Sequence, residues 1–242
     1  MKRLLILIAL LPSLLQAQNP DTAQMLVDRY VAMLNYGALP SDSLLVMETT
    51  ISFVGSEDTF IMRRWYAPLD MMRVEVWRGD SLTAGYCTNG SSRYREYSAY
   101  NGWWNDLDSA NYARMAELYD FRGPFYGKRA SDTRFSYAGT TTLKGQPLAA
   151  VLAEHKNLYQ RYYLFEMQSG LLLFIIDTDK LTDGTGRHYA HSDWKAYHEY
   201  LPVGPCLIPS EESYLRDGLL TVMHTTAHFE ARNDRIFNQD NR

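Results

Sequence analysis

Cysteine is nearly absent: Cys87 and Cys206 are the only two in 242 residues. With no C-x-x-C spacing, the chain has neither the zinc-ribbon pattern nor a dithiol redox motif. In an oxidising compartment the two can form one disulfide. Equally, each can stay a buried thiol, since both lie in strand-like stretches. Catalytic signatures are missing too. There is no G-x-S-x-G elbow, no Walker loop, no H-E-x-x-H and no kinase set. Gly184-Thr185-Gly186 lacks a third glycine and a strand running into a helix, so it reads as a turn. Positive charge is short, with 24 Lys and Arg against 28 Asp and Glu. That balance argues against nucleic acid, whose phosphates need clustered cations. There is no basic amphipathic helix of the kind that rests on anionic membranes, and no repeat with a period of 20–50 residues.

The amino terminus carries the first positive signal. Met1-Lys2-Arg3 is charged, Leu4 to Leu15 is apolar, and Ala17 is a small residue suited to cleavage. Residues 1–17 therefore read as a secretory signal peptide, shorter than the ~20 apolar residues that span a bilayer. The residue after the cut is Gln18, not a lipidatable cysteine. The expected product is an unanchored periplasmic chain with no transmembrane segment. Losing Lys2 and Arg3 leaves 22 cations against 28 anions, a net charge of −6. ATP and nicotinamide cofactors are scarce there, and no cofactor is expected. The remaining chain suits one β-rich domain over 18–232, followed by a polar tail, 233–242, expected to fray. Aromatics are plentiful, with 18 Tyr, 9 Phe and 5 Trp. They fit ordinary strand propensity or the walls of an apolar cavity.

One helix opens the domain, capped by Asn19 or Asp21 and ended near Gly37. Its apolar stripe is Ala23, Leu26, Val27, Tyr30, Val31 and Leu34. From Ser43 the hydrophobic period falls to two. Strands are predicted over 43–54, 59–66, 71–77, 82–88 and 91–97, with Asn89-Gly90 as the strongest hairpin signal. A second helix is predicted from Ser109 to Phe121, stopped by Gly123-Pro124. Strands resume over 134–137, 147–154, 160–167, 171–177, 187–200, 212–215 and 219–231. Many short strands argue for one antiparallel meander curling toward a barrel, with the helices covering its open side.

Candidate chemistry is thin. His224 and His228 would lie about 13 Å apart along a strand, too far to share a metal. His188 and His191 would face opposite ways. Asp177, Asp179 and Asp183 flank a turn, but Leu181 stands where a calcium loop needs oxygen. No metal site is expected. A glycosidase-type carboxylate pair would draw on Glu96, Asp106, Asp108 and Glu117, beside the aromatic run Tyr100–Trp104. No base–nucleophile pair is legible, so no catalytic residue is assigned and the chain is read as a non-enzyme.

Several segments together suggest a family. Trp65-Tyr66-Ala67-Pro68-Leu69-Asp70-Met71-Met72-Arg73-Val74-Glu75 resembles the first hairpin of LolA/LolB-type lipoprotein carriers. Thr88-Asn89-Gly90 with Tyr94 resembles their next hairpin. Phe121-Arg122-Gly123-Pro124-Phe125 sits where their helical segment gives way to strands. The runs Leu143–Pro147, Arg161–Leu164 and Ser169–Leu171 follow the family order, and Ser192–Lys195 through Pro209 resembles its closing element. One departure matters: the family's Arg before the hairpin proline is Ala67 here.

The resemblance implies a mainly β, α+β fold, an incomplete β-barrel with a helical lid. It implies a soluble periplasmic carrier that binds lipoprotein acyl chains, lipid or another apolar ligand, and that serves lipoprotein sorting and outer membrane biogenesis. Inner- and outer-membrane lipoprotein-handling proteins are the implied partners. On this reading the cavity wall is Met72, Val74, Val76, Tyr163, Phe165, Leu173, Ile175, Met223 and Phe229. The lid is Met115, Leu118 and Tyr119. A filled core at the same positions is the competing expectation. The alternatives are a periplasmic protein-binding regulator or scaffold on the same fold, and a carboxylate hydrolase.

Overall fold

A computed structural model describes residues 20–68, 71–90, 94–107, 122–126, 130–143, 145–155, 159–177, 193–216 and 218–237. The expected signal peptide at 1–17, the helix expected at 109–121 with Met115, Leu118 and Tyr119, the expected turn at 179–186, and His188 and His191 lie outside the described residues.

Helix α1 (Pro20–Leu34) places Ala23, Val27, Tyr30 and Leu34 at 0–3% exposure. Their spacing of four, three and four puts them on one stripe. The helix stops before Gly37. Asn35 takes the left-handed conformation (φ 52°), which asparagine tolerates, and a 3-10 turn follows at Tyr36–Ala38.

Thirteen strands form one antiparallel sheet. They are β1 (Ser43–Phe53), β2 (Thr59–Ala67), β3 (Met71–Arg78), β4 (Ser81–Asn89), β5 (Tyr94–Ser98), β6 (Trp103–Asp106), β7 (Thr133–Leu143), β8 (Gln146–His155), β9 (Tyr159–Glu166), β10 (Leu172–Asp177), β11 (Trp194–Val203), β12 (Cys206–Arg216) and β13 (Leu219–Ala231). Their order is β6-β5-β4-β3-β2-β1-β13-β12-β11-β10-β9-β8-β7. The chain walks outward from β1 to the β6 edge, crosses to the far edge at β7, and walks back to β13. Two meanders thus meet at the β1–β13 pair, where Ser43 to Phe53 faces Ala231 to Thr221 without a break. The edges β6 and β7 do not pair, so the barrel stays open.

The sheet bends around α1, which packs against β7 and β12. Its position is fixed by polar ties to the turns at one end of the sheet. Arg29 Nη2 donates to the Gln168 carbonyl at 2.7 Å, Asn35 Nδ2 to the Pro205 carbonyl at 3.1 Å, and the Tyr36 hydroxyl to the Leu207 carbonyl at 3.0 Å. We call that end the base. The opposite end, carrying the β1–β2, β3–β4 and β12–β13 turns, is the rim.

The expected strand at 212–215 is longer, beginning at Cys206 and including Pro209. Residues 206–209 of β12 pair with β11, and the β12–β13 register begins only at Glu211. Pro209 therefore leaves no ladder bond on the β13 side unmade.

The convex face carries two further apolar clusters. One joins Leu44, Val46, Ala67, Met71, Cys87 and Trp104 to Phe237. A 3-10 turn at Asp234–Phe237 seats on it, so the start of the expected frayed tail is docked. The other gathers Leu148, Ala150 and Leu164 with Leu173, Phe174 and Ile176. Cys87 lies in a convex cluster and Cys206 in the concave one. Both are buried.

Candidate functional site

Strand parity decides what faces inward. On β1 the concave residues are Leu45, Met47, Thr49, Ile51 and Phe53; on β2 they are Phe60, Met62, Arg64 and Tyr66; on β3 they are Met72, Val74 and Val76. Toward the base these side chains are buried, with Leu45, Met47, Tyr66, Met72 and Val74 at 0–1% exposure. Toward the rim Ile51, Phe53, Phe60, Val76 and Met223 are only partly covered. The concavity is thus sealed at one end and apolar but accessible at the other.

Beneath α1 the concavity is filled with aromatic rings. Phe125 sits edge-on to Tyr30 and Tyr163 at centroid distances of 5.5 and 5.0 Å. It stacks on Phe135 at 5.6 Å, and Tyr30 packs edge-on to Phe165 at 5.5 Å. Arg122 is buried here, its guanidinium 4.3 Å from the Tyr126 ring centroid and 5.4 Å from that of Tyr66.

A polar layer on the inward face runs obliquely across both meanders, from Arg64, opposite Met47 on β1, to Glu212, opposite the rim residue Met223. Arg64, 3% exposed, donates from Nη2 to Thr49 Oγ1 at 2.6 Å, and Thr49 shares a 2.8 Å hydrogen bond with Thr225 across the β1–β13 pair. On β12, Glu212 is 2% exposed and pairs with Lys195 of β11. The Lys195 ammonium lies 4.8 Å from the Tyr197 ring centroid. Burial pushes the Tyr197 phenol well above its ordinary pKa. The Glu212 charge adds to that rise, and Arg161 and Arg64 oppose it. Arg161 on β9 shares the face of Tyr163. Tyr30 and Tyr200 are raised chiefly by burial as well, and their hydroxyls lie 3.4 Å apart.

Among the sequence-predicted wall residues, Met72, Val74, Tyr163 and Phe165 are in the concave core, and Val76, Ile175 and Phe229 pack against it. Met223 faces inward opposite Ile51 near the rim. Leu173 packs with the convex cluster instead. A bulge between Leu172 and Phe174 shifts the phase of β10, so Leu172 takes the inward place opposite Phe165. The carboxylates Glu96 and Asp106 do not converge. Glu96 pairs with Asn105 and Asp106 with Arg95, on opposite faces. Asp108 and Glu117 lie outside the described residues. His224 and His228 are both exposed on the convex side of β13.

The polar layer was not singled out from sequence. Its one legible trace is Arg64, a cation in phase with Met62 and Tyr66 on an alternating strand. Arg63 beside it, in the opposite phase, ion-pairs with Glu48 at 2.8 Å on the exposed face.

Neither a family model nor a curated protein sequence matches the chain. Solved structures do. An outer membrane lipoprotein-sorting protein domain from Vibrio parahaemolyticus matches with a TM-score of 0.62 at 12% identity, covering 91% of this chain and 97% of its own. A LolA superfamily protein from Nitrosomonas europaea gives 0.60 at 10% identity, covering 90% and 97%. A DUF1329 family protein from Desulfovibrio piger gives 0.59 at 11% identity, covering 89% and 96%. At these identities the likeness is one of fold: this chain has the LolA-like incomplete barrel.

Proposed function

We propose that the protein is a periplasmic carrier that holds an acyl chain, of a lipoprotein or another lipid, in the concavity of its open sheet and serves lipoprotein sorting to the outer membrane. The observation that carries this reading is the rim half of the concave face. There Ile51, Phe53, Phe60, Val76 and Met223 stay partly exposed while their neighbours toward the base are sealed. Apolar side chains left half-covered on a concave surface are what a hydrocarbon guest needs. Each buried methylene contributes about 0.8 kcal/mol, so a chain is held without a covalent step. Loading and release are then shifts between bound and free populations.

The test is lipid extraction from protein purified natively from the periplasm, followed by mass spectrometry. Wild-type protein is expected to carry acyl lipid. Val76→Asp, at a half-buried position, is expected to cut the yield at least about fivefold while leaving the β-sheet circular dichroism intact. Unchanged yield in that variant would remove the rim from the site. Phe165 is the poorer choice, because it packs against Tyr30 and its loss disturbs the core as well.

A second reading, a protein-binding regulator on the same fold, is favoured by the aromatic filling beneath α1. A lipid-free extract with a stoichiometric partner protein would select it.

A further inference from the structure

We infer that the acyl site continues sideways from the rim, across β4 and β5 to the free β6 edge, and that Trp103 is the residue against which the hydrocarbon tail lies there. This deepens the carrier reading and rests on it.

Three observations converge. First, strand register sets four inward residues in one row across the first meander. Val76 of β3 faces Ala84 of β4, Ala84 faces Ser98 of β5, and Ser98 faces Trp103 of β6. The residues of opposite phase bear out the direction. Gly85, Tyr97 and Trp104 meet on the convex side, where a Cβ on Gly85 would come within 2.7 Å of the Trp104 ring. Second, the row has the shape of a trough. Ala84 and Ser98, its two smallest side chains, form a half-exposed floor between Val76 and Trp103. Three strand spacings of ~4.8 Å set these walls about 14 Å apart. Val76 already belongs to the half-covered apolar rim, so rim and trough are one surface. On β4, β5 and β6 the one inward charge is Glu96, between Tyr86 and Asn105 in the next row toward the base. Its carboxylate repels an acid group, so the trough suits the tail of an amphiphile and not an anionic head. Third, Trp103 is 68% exposed and is the one inward-facing tryptophan of five. Trp65 and Trp104 join the convex cluster, and Trp77 donates to Glu75, in phase with Arg73 on the same face. Trp194 lies opposite Ile176 of the other convex cluster. An indole left open at the end of such a trough gains contact area only when something covers it. An alkyl chain running out from Val76 over Ala84 and Ser98 does so.

The experiment is contact quenching of tryptophan emission in the mature protein by dibromostearate at neutral pH, with stearate as the unbrominated control. Bromine quenches an indole only near contact, and the sheet itself screens the four outward tryptophans from a chain in the concavity. Wild type is expected to lose more emission with dibromostearate than with stearate. Trp103→Phe is expected to lose most of that difference while still binding the fatty acid, as read by displacement of cis-parinaric acid. Trp103→Ala, at an exposed position, should weaken cis-parinaric acid at least about fivefold with unchanged circular dichroism. Ser98→Phe, which fills the floor of the trough, should weaken it to a similar degree. Equal quenching in wild type and Trp103→Phe, or wild-type affinity in both Trp103→Ala and Ser98→Phe, overturns the trough and leaves the carrier reading standing. Failure of wild type to bind either stearate or cis-parinaric acid overturns both.

Discussion

Four phenols, those of Tyr30, Tyr36, Tyr197 and Tyr200, sit in or beside the interior layer, and burial raises all of them well above the ordinary tyrosine range. The sign of the consequence is fixed. In the unfolded chain these groups ionise near pH 10, whereas the native state holds their protons to higher pH. Stability is therefore fully present below about pH 10 and is lost as pH rises toward the native values. Urea midpoints measured from about pH 8 upward should stay flat and then drop, with phenolate absorbance appearing together with unfolding rather than before it. A smooth spectroscopic titration of all 18 tyrosines with no loss of structure would contradict the burial of these four. The same scale shows why part of the site was hidden in the sequence. Arg63 and Arg64 are identical as letters, and only strand phase sends one to solvent and one inward. Their alternating neighbours Met62 and Tyr66 gave that phase. The partners on β12 and β13 lie some 150 residues away, and no local pattern announces them.

Among the elements, the carboxyl-terminal turn shows where pattern and packing part. A polar tail from Asn233 is a fair reading of Asn-Asp-Arg, yet Phe237 at 3% exposure fills the convex cluster of β1–β4. Arg73 Nη1 and the Cys87 thiol donate to the carbonyls of Ile236 and Phe237, at 2.8 and 3.1 Å. The turn is therefore a clasp on the first meander. Phe237→Ala should cost about 3 kcal/mol in a denaturant titration, the usual scale for emptying a buried aromatic site. A loss under about 1 kcal/mol would mean that the turn only rests on the sheet. Strand β10 parts from its pattern in the other direction. Leu171–Ile176 is apolar on both faces, so no alternation marked the bulge that turns Leu173 outward. Where alternation was clean, as in Met71–Trp77, the inward set Met72, Val74 and Val76 followed from sequence.

At the scale of the whole molecule, the sheet has two free edges but a continuous middle, because β1 and β13 pair along eleven residues and join first strand to last. Turn signals and alternation gave nearly every strand, but nothing local could give this closure, which rests on partners at opposite ends of the chain. Helix α1 lies against the second meander with its stripe sealed and its end tied to the β11–β12 turn. An element held this way behaves as part of the wall: opening it would expose Ala23, Val27, Tyr30 and Leu34 together, at roughly 1.5–3 kcal/mol for each of the larger side chains. Native-state hydrogen exchange should therefore find the amides of α1 from Leu26 to Leu34 opening within about tenfold of those in β1 and β13, with protection falling toward the edge strands β6 and β7. Ligand should alter protection at the rim, around Ile51, Phe60 and Val76, and leave α1 unchanged. Were α1 to exchange much faster than β1 and β13, and to slow when acyl probe is added, the helix would be a moving cover and the way in would lie beneath it rather than at the rim.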